Sequence, residues 1–263
     1  MNPLTDPAAR LVIGHRGTSA RFPENTTAAF DHARSLGVDA IEFDLRLSAD
    51  GVAVVIHDPT VDRTTDGTGR VETMTAGELK KLDAGFRFTL DGRTFPFRGQ
   101  GLRIPTFDEL LSRYDAGPLL IEIKLPAVVD EARRLIEQHG ATERVLVDGA
   151  DAGAVSPFRG SPILTGACFD DLLRLLPRTL LGAAPAVLPY SAICIPQWYR
   201  GFPIPVVRLA KLAQSRGVAT HIWTVNDPRV ARRLWESGIN GIITDDPETM
   251  LRVRRTLETK TGS

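Results

Sequence analysis

Short apolar segments of strand length recur eight times along the 263 residues, with helical periodicity between them, and this alternation predicts an α/β fold of the TIM (β/α)8 barrel class. A second observation is the single interruption of that rhythm. After the second strand the chain makes a hairpin and then runs through residues 58–105 with little sustained periodicity, which predicts a small insertion lobe on the barrel. The third observation is that no Gly-x-Gly-x-x-Gly follows the first strand, which weighs against an open doubly wound sheet. With 43% apolar and 24% charged residues the chain can bury a full core, and the expectation is one domain over residues 1–263.

The first strand, Arg10 to Gly14, ends in Gly14-His15-Arg16-Gly17, where flanking glycines let the backbone turn sharply and approach a ligand. Residues 26–36 follow as a helix, with Ala29, Phe30, Ala33 and Leu36 at helical spacing, Asn25 as the expected N-cap and Gly37 as the stop. The next stretch, residues 38–57, organises the chain. Glu42 and Asp44 share one face of its strand because side chains at i and i+2 of an extended chain point the same way. Asp50-Gly51 reads as a two-residue hairpin turn, which pairs Ala49 with Val52 and sets Asp44 opposite His57. The return must be antiparallel, since so short a linker cannot make a parallel crossover.

The insertion contains seven glycines, and its Phe86, Phe88, Phe95 and Phe97 are expected to form a small core of their own. Alternation resumes at Thr106, which has capping-box spacing to Glu109 and opens a helix to about Tyr114. Strands are then predicted at Leu119 to Lys124, Arg144 to Asp148, Ile163 to Gly166, Ala192 to Ile195, Ala219 to Thr224 and Gly241 to Thr244. Among the intervening helices, Ala127 to His139 carries Val128, Val129, Ala132, Leu135 and Ile136 on one face. Asp227-Pro228 and Asp246-Pro247 each supply an N-cap followed by proline at the first helical position. The helical pattern is faintest from Asp148 to Gly160.

The formal net charge is zero, so nothing argues for a polyanionic partner such as nucleic acid. Cys168 and Cys194 sit in apolar contexts without metal-type spacing, as buried free thiols of a reducing compartment do. The N-terminus lacks a signal-peptide pattern and no apolar run approaches bilayer length, so no integral membrane segment and a cytoplasmic location are expected.

Catalytic groups of such a barrel sit at the C-terminal ends of its strands. His15 and Arg16 fall there after the first strand, Glu42 and Asp44 on the second, Glu122 and Lys124 on the third, and Trp223 near the end of the seventh. Neighbouring strands lie about 4.8 Å apart, so three carboxylates can reach one divalent cation with Lys124 beside it. A cation together with Arg16 and Lys124 describes a phosphate site. His32, His139 and His221 read as structural.

These residues stand in segments that are similar to the glycerophosphodiester phosphodiesterase family, within the wider group of phospholipase C-like phosphodiesterases. The matching segments are Gly14-His15-Arg16-Gly17, Pro23-Glu24-Asn25-Thr26, Ile41-Glu42-Phe43-Asp44, His57-Asp58, Ile121-Glu122-Ile123-Lys124, Trp223-Thr224-Val225-Asn226 and Gly241 to Asp245, in the family's order. The resemblance implies a hydrolase that cleaves small glycerophosphodiesters to glycerol 3-phosphate and an alcohol. It implies His15 and His57 as general acid and base, Glu42, Asp44 and Glu122 as ligands of Mg²⁺ or Ca²⁺, and Arg16 and Lys124 as phosphate contacts. It also implies Trp223 as a wall for the alcohol, Glu24 and Asn25 as further site residues, and the insertion as a lobe over the barrel mouth. The chain departs from the family at Asp148-Gly149, where many relatives carry Ser-Phe, and over residues 184–203. That second departure, with the insertion's aromatics, keeps a lysophospholipase D-type activity on single-chain lipids as the alternative. A phosphate-ligand binding protein without turnover is the alternative from outside enzymology.

Overall fold

A computed structural model describes residues 2–180 and 185–261 of the chain. Its barrel strands are β1 (Leu11–His15), β2 (Ala40–Leu47), β3 (Leu119–Ile123), β4 (Val145–Asp148), β5 (Leu164–Thr165), β6 (Ala192–Pro196), β7 (Ala219–Trp223) and β8 (Gly241–Thr244). They are parallel and adjacent in the order β5-β4-β3-β2-β1-β8-β7-β6. The ring closes where Ser191 N donates to Thr165 O over 2.8 Å and Ala167 N to Ala192 O over 3.0 Å, around the Gly166–Ala192 bridge. The eight-stranded barrel expected from the strand-helix rhythm is therefore the observed architecture.

Period-two alternation sorts each strand between two cores. Leu11, Ile13, Ala40, Leu120, Leu146, Ala219 and Ile243 point into the barrel with Leu4, which reaches it from a 3-10 turn at Pro3–Thr5. Phe43, Ile121 and Val147 face outward and pack in one half with Phe30 and Phe107 of the helices, and Val12, Ile193 and Ile222 pack in the other with the helical Trp235. Each fully buried large side chain of this kind contributes roughly 1.5–3 kcal/mol.

His221 lies wholly inside the barrel, where its Nε2 meets Leu4 O at 2.8 Å; a Cβ at position 241 would overlap its ring, so glycine stands there. Burial lowers its pKa from an ordinary 6.5 to about 4. The unfolded chain therefore takes up a proton near pH 6.5 that the folded chain refuses until about pH 4, and the unfolded state binds more protons in between. The contribution is fully present above pH 6.5 and lost on the way down to about pH 4, a difference of about 3 kcal/mol. Urea titrations at successive pH values should show that slope in the native chain and a shallower one in His221→Gln. Parallel slopes would place the acid sensitivity elsewhere.

The helices follow their sequence signals closely. Thr106 and Glu109 form the capping box of Phe107–Arg113, and Asp227 caps Pro228–Glu236. Gly37 ends Thr27–Leu36 with φ +78°. The N-cap of that helix is Thr26, whose hydroxyl accepts from Ala29 N, and not Asn25. Asn25 sits at φ +57° and turns its amide to Asp44 instead. The faint stretch after β4 resolves into a short helix at Ala152–Val155 and a 3-10 turn at Ser156–Phe158.

Two further expectations are corrected. The hairpin pairs Leu45 with Val55 and Leu47 with Ala53, so Asp44 faces Ile56, whose N–H donates to Asp44 O over 3.1 Å, and His57 lies one residue beyond. The slip arises because Ser48 N bonds Val52 O, which leaves a three-residue loop, Ala49-Asp50-Gly51, with only Gly51 at positive φ. The insertion's core is aliphatic, with Val61, Val71, Leu79, Ala84 and Ile104 packed on Val54 and Ile56 of the hairpin's return limb. Its phenylalanines are only half-buried: Phe88 and Phe97 pair with each other, Phe97 also meets Phe22, and the Arg98 guanidinium lies over Phe86 and Phe95. A loop without a sheet to pack on covers its rings with one another and with a cation.

Candidate active site

Strand register brings the polar residues together at one end of the barrel. His15 is level with Glu42, Asp44 with Glu122, and Glu122 with Asp148. Seven of the ten residues expected at the site line one cavity: His15, Arg16, Glu42, His57, Glu122, Lys124 and Trp223. The other three stand behind this wall. Asp44 is fully buried, Asn25 Nδ2 donates to Asp44 Oδ2 over 2.8 Å, and Glu24 Oε1 accepts from Arg16 Nη1 over 2.8 Å. His32, His139 and His221 lie outside the cavity lining.

Each of the two histidines is held the same way. His15 Nδ1 lies 2.6 Å from Asp245 Oδ1, and His57 Nδ1 lies 2.6 Å from Asp58 Oδ1. Burial by itself would raise the pKa of Asp245, but His15, Ser19 and Asn226 donate to it and bring it down to about 2. Asp58 also reaches about 2, where Arg63 and His57 together outweigh burial. An ionised carboxylate only accepts hydrogen bonds, so each Nδ1 carries the proton and each Nε2 is left for the cavity. For His15, burial works toward a lower pKa and is outweighed by the Glu42 carboxylate and the bond to Asp245, so the net shift is upward.

The carboxylates are crowded. One oxygen from each of Glu42, Asp44 and Glu122 lies within 4.8 Å of the others. Burial, followed by the charge of Asp44, pushes Glu42 up to about 7. Asp44 goes the other way: burial would raise its pKa, and Lys124 and Arg16 hold it below the usual carboxylate range. Lys124 Nζ sits 2.7 Å from Glu122 Oε1 and 3.0 Å from Asp44 Oδ1, and Arg16 Nε sits 3.3 Å from Asp44 Oδ2. Even so, Asp44 Oδ1 is buried without a well-formed hydrogen bond. Three converging carboxylate oxygens, crowded enough that one of the carboxyls is pushed up to about 7, fit a hard divalent cation.

Several residues escaped the sequence reading. Asp245 and Asp58 were visible only as parts of motifs, although Asp245 follows the last barrel strand, where strand-end acids are candidates. Arg63 ties the insertion to the site by donating to Glu24 over 2.7 Å and to Asp58 over 2.5 Å. Asp148 lines the cavity, and burial with Glu122 and Glu42 nearby pushes it up to about 8. Only glycine at position 166 leaves room for that carboxyl. Cys168 and Cys194 are buried free thiols as expected, and Cys194 forms part of the cavity wall.

Known proteins resemble this chain over most of its length. Residues 15–249 match the model of the glycerophosphoryl diester phosphodiesterase family. A glycerophosphodiester phosphodiesterase of Caldanaerobacter subterraneus is 33% identical over 93% of this chain and 98% of its own. A solved glycerophosphodiester phosphodiesterase of Agrobacterium tumefaciens superposes with a TM-score of 0.73 at 29% identity, covering 92% of this chain and 98% of that one. A phosphodiesterase of Oleispira antarctica, solved with the product sn-glycerol-3-phosphate, gives a TM-score of 0.75 at 26% identity, covering 94% of this chain and 97% of that one.

Proposed function

The chain belongs to the glycerophosphoryl diester phosphodiesterase family, and from that membership and the cavity's geometry we propose that it hydrolyses glycerophosphodiesters to glycerol 3-phosphate and an alcohol, with His15 and His57 as its acid and base. The observation that carries the mechanism is the matched pair of imidazoles, each with Nδ1 on an ionised aspartate and Nε2 toward the same cavity.

A phosphodiester resists attack because its anionic oxygens repel a nucleophile. Arg16 and Lys124 bring positive charge to that anion, and both are fixed before substrate arrives: Arg16 by Glu24 and Asp44, Lys124 by Glu122 and Asp44. Glu42, Asp44 and Glu122 would hold Mg²⁺ or Ca²⁺, which supplies Lewis-acid neutralisation of the phosphoryl oxygens when bound. One histidine takes the proton of the attacking oxygen, water or a glycerol hydroxyl, and the other delivers a proton to the departing alkoxide. Asp245 and Asp58 keep each imidazole in the required tautomer and stabilise it when cationic. Trp223 ends β7 with 43% of its surface exposed, as a wall for the alcohol portion. Among the described residues no helix is long and apolar enough to cross a membrane.

Incubating the protein and added divalent metal with glycerophosphocholine should release choline and glycerol 3-phosphate in equal amounts. Saturable binding of the diester without either product would establish the binding-protein reading instead.

A further inference from the structure

We propose that Arg63, an insertion residue outside the cavity lining, is a positioning residue for both halves of the site: one edge of its guanidinium sets Asp58 against His57, and the other sets Glu24 against Arg16. The proposal rests on the hydrolase reading above. Arg63 Nε and Nη2 donate to Asp58 Oδ2 and Oδ1 over 2.5 and 3.2 Å, and Nη1 and Nη2 donate to Glu24 Oε2 and Oε1 over 2.7 Å each. One planar cation thus grips two carboxylates at once, each along both of its oxygens.

Each carboxylate has a second partner at the oxygen that it shares with Nη2. Asp58 Oδ1 also meets His57 Nδ1 at 2.6 Å, and Glu24 Oε1 also accepts from Arg16 Nη1 over 2.8 Å. His57 and Arg16 line the cavity, the first as a proton-transfer group and the second as a phosphate contact. A carboxylate held along both oxygens cannot rotate, so the direction in which it offers the shared oxygen is fixed. Without the guanidinium, Asp58 and Glu24 are free to turn toward water. His57 then loses the carboxylate on its Nδ1, and Arg16 keeps only Asp44 of its two carboxylate partners. A lysine at position 63 would supply the charge but no pair of edges, since its donors spread from a single nitrogen.

The backbone that carries Arg63 is fixed from within the insertion. Val61 N donates to Gly69 O over 3.0 Å, the backbone N and the hydroxyl of Thr65 both donate to Val61 O, and Val61 and Thr65 are fully buried. Arg63 is the middle residue of that turn. The lobe has other ties to the barrel: Val61 and Leu79 share a core with Val54 and Ile56, Phe97 meets Phe22 at 5.2 Å, and Lys80 pairs with Glu109 of helix Phe107–Arg113. Removing Arg63 therefore loosens His57 and Arg16 while the lobe stays docked. Folding of one turn in the insertion and alignment of two cavity groups are in this way a single event.

The test measures kcat and KM for glycerophosphocholine, with added divalent metal, in the native chain, Arg63→Ala, Arg63→Lys, Asp58→Ala, Glu24→Ala and the two double variants that join Arg63→Ala to each acid. Arg63→Ala should lower kcat about ten- to a hundredfold through His57, the range for losing a charge-assisted hydrogen bond, and raise KM through Arg16. Because Arg63 acts through the two acids, adding its loss to Asp58→Ala should change kcat by less than about threefold, and adding it to Glu24→Ala should change KM by less than about threefold. Arg63→Lys should melt close to the native temperature yet keep most of the loss in kcat. Lys80→Ala, which cuts a different tie between insertion and barrel, should leave both constants within about twofold. Additive losses in both double variants, native kcat in Arg63→Lys, or an equal loss in Lys80→Ala would overturn the proposal and leave the hydrolase reading standing. Should Arg63→Ala not fold, Arg63→Lys takes its place in the same comparisons. If the native chain turns over no diester, the hydrolase reading falls, and calorimetric binding of glycerol 3-phosphate decides the Arg16 half. Equal weakening in Glu24→Ala, Arg63→Ala and their double variant would uphold it, and additive weakening would overturn it.

Discussion

Alanine at His15 or at His57 should lower kcat by at least about 10²-fold while leaving the fold and metal binding nearly intact. Each substitution removes a proton-transfer group from a partly exposed cavity wall and empties no core. The side-chain exposures of 16% and 33% leave water to fill the space. The two variants should then part company on p-nitrophenyl esters, whose phenolate leaves without protonation. The variant lacking the general acid recovers much of its rate there, whereas the variant lacking the base stays slow on every substrate. Near-native turnover of glycerophosphodiesters by either variant would remove the imidazole pair from the mechanism.

Chelation should abolish activity, by at least about 10²-fold, and added Mg²⁺ or Ca²⁺ should restore it. The same cation should stabilise the fold by about 2.7 kcal/mol at a hundred times its dissociation constant, since it binds the folded chain and not the unfolded one. Glu42 gives this linkage its pH dependence. Its carboxyl keeps a proton up to about pH 7 in the metal-free protein, so proton and cation compete, and metal affinity should rise as pH rises through that value. Glu42→Gln should lose metal affinity and the metal-induced rise in Tm. Without metal it should be at least as stable as the native chain, because the substitution removes a carboxyl that Asp44 repels. Calorimetric metal titrations at two pH values, with thermal melts of both proteins, check each sign. Full activity of demonstrably metal-free protein would take the cation out of the reaction.

The order of the barrel was legible because local signals decide it. Apolar runs of strand length, the Thr106–Glu109 capping box, Asp-Pro helix starts and Gly37 all act within a few residues, and the structure keeps each of them. The acids on β2 were legible for the same reason, since a strand alternates its faces wherever it runs. What failed was fine geometry. The hairpin register turned on whether Ser48 or Ala49 closes the loop, a difference of one residue between turns of similar energy. The phenylalanines of the insertion could not be placed, because a ring in an irregular loop is buried only if some distant surface comes to meet it.

By itself, then, the sequence determined which residues face the inside of the barrel and which strand ends carry charge, through short-range alternation and capping. Only the tertiary structure decided what those charges do. Asp245 orients His15 from 230 residues away, and Arg63 reaches out of the insertion to bind Glu24 and Asp58. Ionisation followed as well: Glu42 and Asp44 are two residues apart on one strand, yet burial and neighbouring charge send their pKa values in opposite directions. Interactions of this kind depend on distance in space and on exclusion of water, and neither is set until the ring of strands has closed.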